Sequence, residues 1–279
     1  MLRNPHLAAS TILFYSPGPV KIVTAERANR VAAMTEKKIR VDLLLVERGL
    51  AGTRSKAQAL LLAGRVFSGE QRVDKAGQLL ARDAPLAVSE PERFVSRGGL
   101  KLEGALEALA LDVGGLTCAD IGASTGGFTD CLLARGARRV YAVDVGERQL
   151  AAKLAADPRV VVMDRTNARH LTAESFPEPI ELAVVDASFI GLEKLLPALA
   201  SVLSTGRPLL ALVKPQFEAG REQAAKARGV IRDPALRAQL IARAVEQVEA
   251  HGFALRGSVD SVLAGPKGNL EHFVLAERR

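Results

Sequence analysis

Cysteine and histidine, the side chains that most often hold metals, are scarce: Cys118 and Cys131, then His6, His170, His251 and His272. Neither set has a metal-ligand spacing, so no structural metal is expected. Both cysteines fall in apolar stretches and read as reduced core thiols, which points to a cytoplasmic protein. No run reaches the eighteen or so apolar residues of a membrane span. The stretch from Leu7 to Val23 is broken by Pro17, Gly18 and Pro19 and lacks a signal-peptide core. With 48% hydrophobic residues, however, the chain has ample material for a packed interior.

What is present is unevenly distributed. The whole excess of +7 lies in residues 1–98, because residues 99–279 carry 22 basic against 22 acidic side chains. That asymmetry suggests a basic binding module ahead of a neutral catalytic body. Met34-Thr35-Glu36-Lys37-Lys38 is a typical opening, so residues 1–35 are expected to be a poorly ordered extension, and residues 1–33 could lie upstream of the native start.

From Arg40 the pattern tightens. Val41, Leu43, Leu44, Leu45 and Val46 form the apolar face of one helix, stopped by Gly49. Thr53 is placed to cap a second helix over Ala57 to Ala63. Arg65-Val66-Phe67, a Gly69-Glu70-Gln71 turn and Arg72-Val73 read as a hairpin, and Leu86-Ala87-Val88 closes the unit. This order resembles the small RNA-binding domain named after ribosomal small-subunit protein four, although the turn reads Phe67-Ser68-Gly69 where relatives carry Asn-Gly. The resemblance implies that Arg40, Arg54, Lys56 and Arg65 share an RNA-facing surface; the plainer alternative is a set of solvated charges. Residues 36–88 are assigned to this domain, 89–95 to a polar linker and 96–279 to the body.

In the body, the apolar run Leu116 to Ile121 meets a loop of small residues, Gly122-Ala123-Ser124-Thr125-Gly126-Gly127-Phe128, then a helical pattern from Thr129 to Arg135. Strand, tight turn and helix start leave free N–H groups facing a ligand. A dinucleotide site wants G-x-G-x-x-G; this loop is G-x-x-x-G-G, with Ser124 at the second position of interest and the acid Asp120 ahead of it. Such a site suits a cationic ligand without phosphate, for which S-adenosylmethionine qualifies. Asp144, ending the next strand (Arg139–Val143), is placed to take a ribose hydroxyl pair. Taken alone, the glycines are weak evidence, since a glycine-rich strand-to-helix turn is often only a turn.

Strand and helix alternate from there, with strands expected at 160–163, 182–186, 209–213, 253–259 and 272–276. Helices are expected at 103–110, 191–203 and 234–251, the last with Pro234 in its first turn and Gly252 beyond its end. The fold class is α/β, a Rossmann-like parallel sheet covered on both faces, preceded by a small α+β domain. Strand after strand ends in a polar group: Asp120, Asp144, Asp164, Asp186 and Lys214. Lys214 precedes a proline, which holds it in extended backbone and off a helix surface. Asp164 reads equally as a turn acid. The Gly98-Gly99 pair before Lys101 could be a loop with a surface charge.

Five motifs in this order resemble the TlyA family, in which the small RNA-binding domain precedes an FtsJ-like methyltransferase body. They are Ser96-Arg97-Gly98-Gly99-Leu100-Lys101-Leu102, Asp120 through Asp130, Val185-Asp186-Ala187-Ser188-Phe189, Val213-Lys214-Pro215-Gln216-Phe217-Glu218 and Gly268-Asn269-Leu270-Glu271-His272-Phe273. The resemblance covers about residues 36–279. It implies a ribose 2′-O-methyltransferase acting on cytidine in ribosomal RNA or ribosomal subunits, with Lys101, Asp186, Lys214 and Glu271 as a catalytic tetrad. It also implies S-adenosylmethionine over Asp120, Gly122, Ser124, Thr125, Gly126, Gly127 and Phe128, with Asp144 on its ribose and Asp164 and Asn167 near its adenine. A ribose hydroxyl is a poor nucleophile at neutral pH, so a base is required, and Lys214 is assigned that role. Lys101 would be the second cation, and Asp186 and Glu271 would orient the pair. Gln216 to Arg232 departs from the glycine-rich form of relatives and suggests a lid or RNA-contacting loop. Three rivals remain: a catalytically silent ribosome-assembly factor, a base methyltransferase, and the haemolysin that the family label names.

Overall fold

The computed structural model describes residues 38–90, 92–220 and 229–279. The expectations for the N-terminal extension, and the middle of the Gln216 to Arg232 stretch, lie outside the described residues. The described chain separates after Glu92 into two compact units.

The front unit follows the periodicity. β1 (Ile39–Arg40) leads into α1 (Val41–Glu47), and α2 (Arg54–Leu62) starts where Thr53 Oγ1 accepts from the Lys56 N–H at 3.2 Å. β2 (Val66–Ser68) pairs antiparallel with β3 (Gln71–Arg72) and with β5 (Ala87–Val88), while β4 (Leu79–Leu80) pairs with β1. Val41, Leu44 and Leu45 of α1 meet Ala57 and Leu61 of α2 and Val66, Val73 and Leu86 in one small core. The segment expected to be a linker is anchored at both ends. The Ser89 N–H donates to the Arg65 carbonyl and the Arg65 side chain donates to the Ser89 carbonyl, while Phe94 and the Val95 N–H are bound into the second unit.

The second unit contains α3 (Arg97–Ala108), β6 (Thr117–Ile121), α4 (Gly127–Ala134), β7 (Arg139–Val143), α5 (Ala152–Ala155) and β8 (Val160–Met163). Then follow β9 (Leu182–Val185), α6 (Leu196–Val202), β10 (Pro208–Val213), α7 (Pro215–Glu218), α8 (Pro234–Ala250), β11 (Phe253–Asp260) and β12 (His272–Arg278). The sheet order is β11-β12-β10-β9-β6-β7-β8. Strands β10, β9, β6, β7 and β8 are parallel, as the strand–helix alternation predicts. The parallel arrangement ends at β12, which runs antiparallel to both β10 and β11. The reason is the connection: β11 returns as β12 through an eleven-residue loop with no helix to carry the chain back across the sheet.

The pleat sorts side chains between two cores. Cys118, Val140, Leu182, Val184, Leu210, Leu212 and Phe273 face α3 and α4. Their neighbours Ala119, Ile121, Val143, Ala183, Val185, Ala211 and Val213 face α6 and α8. Burial on both faces explains why these strands read as continuous apolar runs. Two helix boundaries differ from the sequence reading. α3 starts at Arg97, directly after Ser96, so Lys101 lies on the helix rather than ahead of it. The helix expected over 191–203 splits into a 3-10 turn, Leu192–Lys194, and α6, whose first turn holds Pro197.

Candidate active site

The side-chain alternation that builds the two cores also builds the site. Asp186 follows β9 and Lys214 follows β10, each in step with the residues facing α3 and α4. The register Val213↔His272 sets Lys214 opposite Glu271, just outside the paired ends of β10 and β12. α3 covers that face and brings Lys101, one residue before the buried Leu102. Residues 101, 186, 214 and 271 are thus collected by a period of two on three strands and by one helix.

The four make two ion pairs. Lys101 Nζ lies 2.5 Å from Glu271 Oε2, and both side chains are buried. Lys214 Nζ lies 2.6 Å from Asp186 Oδ1 and donates to Ser188 Oγ at 2.8 Å and to the Asp186 carbonyl at 3.3 Å. The ammonium thus donates two hydrogen bonds beside its ion pair with Asp186 Oδ1, an oxygen that has no hydrogen-bond partner among the described residues. Lys214 is only 8% exposed, and its Nζ sits 5.9 Å from the centre of the Phe217 ring. Ser188 was not among the candidates from sequence; its place two residues after Asp186, within one motif, was the available signal.

The glycine loop lies beside these pairs. A Cβ on Gly122 would meet the Asp186 carbonyl oxygen at 3.0 Å and the Ala187 Cα at 3.1 Å, so glycine is required where the two strand-end loops touch. Gly126 caps α4 at φ +95°. Ser124 also sits at positive φ, and its N–H donates to Asp144 Oδ2 at 2.8 Å while Gly146 N–H donates to Oδ1 at 2.7 Å. Asp144 therefore fixes the loop and retains acceptor capacity on both oxygens. Thr125 receives the Ala151 N–H on its carbonyl.

Asp120 is fully buried. Its Oδ2 accepts from the Thr129 hydroxyl at 2.7 Å, and its Oδ1 has no partner among the described residues. Burial pushes its carboxyl up to about 7; Thr129 opposes this, and Asp186 and Asp144 add to it. A cluster of three acids with one orphaned oxygen under a glycine loop fits a cationic, hydroxyl-bearing ligand and disfavours a polyphosphate. S-adenosylmethionine has that chemistry.

Other sequence candidates occupy structural positions. Phe128 is buried, its ring 6.0 Å from that of Phe273. Gly127 lets α4 approach the start of α3, since a Cβ there would fall 2.2 Å from Ser96 Oγ; a Cβ on Gly99 would enter the Phe94 ring, whereas one on Gly98 would make only ordinary contacts. Asp164 accepts from the Arg148 N–H, and Asn167 caps the 3-10 turn Ala168–His170. In the front unit, Arg40 and Arg54 converge on Asp42. Lys56 lies two residues along α2 from Arg54, about 200° around the helix. Arg65 donates through Nε and Nη2 to the Ser89 carbonyl. The structure therefore joins two of the four RNA candidates through Asp42 and ties Arg65 to the residue that follows β5.

Among the described residues no cluster could hold a metal ion, and no helix is long and apolar enough to cross a membrane. Residues 94–278 match the FtsJ-like methyltransferase family and residues 39–84 the S4 domain. The YqxC protein of Bacillus subtilis is 51% identical over 240 residues, 85% of each chain. The 16S/23S rRNA (cytidine-2′-O)-methyltransferase TlyA of Mycobacterium tuberculosis is 47% identical, over 85% of this chain and 89% of that one. A solved Streptococcus thermophilus structure described under the hemolysin name is 42% identical, with a TM-score of 0.67, over 88% of this chain and 90% of that one. The strand-end tetrad, the glycine loop and these matches agree: the chain belongs to the FtsJ-like methyltransferases, in the S4-bearing TlyA group.

Proposed function

We propose that the protein methylates the ribose 2′-hydroxyl of a cytidine in ribosomal RNA, in the cytoplasm, with S-adenosylmethionine as methyl donor. The observation that carries this reading is the array of buried Lys101, Lys214 and Glu271 with half-buried Asp186, set by α3 and the ends of β9, β10 and β12. A neutral ribose hydroxyl needs its proton removed as it attacks, and Lys214 is the group assigned to take it. For that, Lys214 acts as the neutral amine: one ammonium proton has already left, the nitrogen lone pair faces the hydroxyl and takes its proton, and Asp186 lies beside it. Lys101, fixed by Glu271, adds a second buried cation that favours the developing alkoxide. The bound cofactor supplies an electrophilic methyl on a sulfonium. Asp120, the loop from Gly122 to Gly127, and Asp144 would hold it, and the tetrad would align the hydroxyl with the methyl carbon.

Two features distinguish this reading from its rivals. A base methyltransferase of this fold often carries an Asn/Asp-Pro-Pro-aromatic loop after the fourth strand, where this chain has Asp186-Ala187-Ser188-Phe189. A silent assembly factor needs neither buried ion pair, which apolar side chains of similar volume could replace at little or no cost in stability. Ribosomal subunits from a strain lacking this gene, incubated with the protein and methyl-labelled cofactor, test the reading. Alkali-resistant dinucleotides carrying label are expected. Label on a base, or none on RNA, overturns it.

A further inference from the structure

The front unit buries one acid completely, and that acid is unlike any other charge in its small core. Asp42 has no exposed surface. Its Oδ1 accepts from Arg40 Nε at 3.0 Å and from the Leu43 N–H at 3.0 Å. Its Oδ2 accepts from Arg40 Nη2 at 3.0 Å, Arg54 Nε at 2.9 Å and Gln58 Nε2 at 3.2 Å. Five donors fill a carboxylate that offers about four lone-pair directions. The arginines also hold the Asp42 carboxyl well below its ordinary range, so it stays ionised.

The partners point the other way. The Arg40 and Arg54 side chains are 42% and 53% exposed, and neither guanidinium has another acceptor among the described residues. Arg40 spends one edge on Asp42 and keeps Nη1 free; Arg54 spends Nε alone and keeps both Nη groups. A free arginine loses much rotamer freedom when it grips a phosphate. Here that freedom is surrendered in advance, and planar N–H edges remain for an acceptor outside. Two arginines and one acid leave a single net positive charge, fixed in place.

We propose that Asp42 is a positioning residue for RNA binding, holding Arg40 and Arg54 as a preformed two-guanidinium fork for a phosphodiester group of the RNA backbone. The proposal rests on the RNA reading above and deepens it. It also reverses the sign that charge alone predicts. Replacing Asp42 by a neutral residue makes the unit more positive, and simple electrostatics then predicts tighter RNA binding. A collapsed fork binds more weakly.

The test uses the full chain and ribosomal RNA transcribed in vitro, titrated between about 50 and 200 mM salt. Asp42→Asn is expected to bind about tenfold more weakly, with a salt slope shallower by about one. The KM for RNA should rise while kcat and cofactor affinity stay at wild-type values. Arg40→Lys with Arg54→Lys keeps both charges and the buried acid but removes the planar edges, and should weaken binding in the same sense. In an Arg40→Ala, Arg54→Ala background, Asp42→Asn should change RNA affinity no further. Tighter or unchanged binding by Asp42→Asn overturns the proposal, as does an undiminished loss in the alanine background. If thermal melting shows that Asp42→Asn does not fold, the double-lysine variant decides, and wild-type affinity there overturns the fork. Wild-type RNA binding without methyl transfer would count against the reaction and leave the fork standing. Transfer with Asp42→Asn binding unchanged removes only the fork.

Discussion

The two units use the same ingredients, acids with pairs of cations, in opposite arrangements. In the front unit a fully buried Asp42 holds two arginines whose outer edges face solvent. In the catalytic body two buried lysines are each held by an acid inside the fold. The first arrangement suits a large polyanion met at the surface, where planar guanidinium edges and a fixed geometry matter more than desolvation. The second suits chemistry on one hydroxyl, where water is excluded and each charge acts at close range. The residue types follow the same logic: arginine outside, where it remains charged, and lysine inside, where its proton can be exchanged.

Perturbing each side differently tests that contrast. The largest effect is expected at Lys214→Ala. Methyl transfer under single-turnover conditions should fall by about a thousandfold, with cofactor affinity by calorimetry within a few-fold of wild type. Retained turnover would remove Lys214 as base and weaken the contrast. Next comes Glu271→Gln, which leaves Lys101 charged and unpaired inside the fold. Denaturant unfolding should show a loss of about 3 kcal/mol. Lys101→Met with Glu271→Leu should recover most of that stability and none of the activity, separating the chemical role of the pair from its structural one.

Asp120 gives a pH signature confined to the body. Its carboxyl titrates at about 7 in the fold against an ordinary 3.8, so the native state keeps a proton that the unfolded chain releases. Its contribution to stability is therefore full below about pH 4 and is lost as the pH rises to about 7. Asp120→Asn should flatten that part of the stability profile, and an unchanged slope would show that another group carries it. The smallest effect is expected at Arg65→Ala, because Arg65 is engaged with the Ser89 carbonyl. A loss of about 1 kcal/mol in front-unit stability is expected. RNA affinity should change less than for Arg54→Ala; an equal loss would add Arg65 to the binding surface.

Much of the fold is legible in the residues because it is local. Thr53 caps α2, Pro234 opens α8 and Gly252 lies past its end, each as the side chain's own preference dictates. The buried strands read as apolar runs for the same reason. The start of α3 is not legible, since Gly98 and Gly99 are poor helix residues. Packing overrides propensity at Gly99, where a Cβ would enter the Phe94 ring. Nor is the direction of β12 legible, because an apolar run carries no sign of which way its neighbour runs.

The sequence by itself determined the chemical kinds at the strand ends, the glycine loop with its preceding acid and the basic front third, because these depend on residue type and spacing along one segment. Only the tertiary structure decided which charges meet. Lys101 pairs with Glu271 170 positions away because α3 lies over the face to which the β12 pleat directs that acid. Asp42, in sequence only the acid of an Arg-x-Asp-x-x-Leu pattern, becomes the anchor of two arginines because α1 and α2 pack around it. Such partnerships depend on the face each side chain occupies and on what is packed against it, and a linear pattern specifies only the first of these.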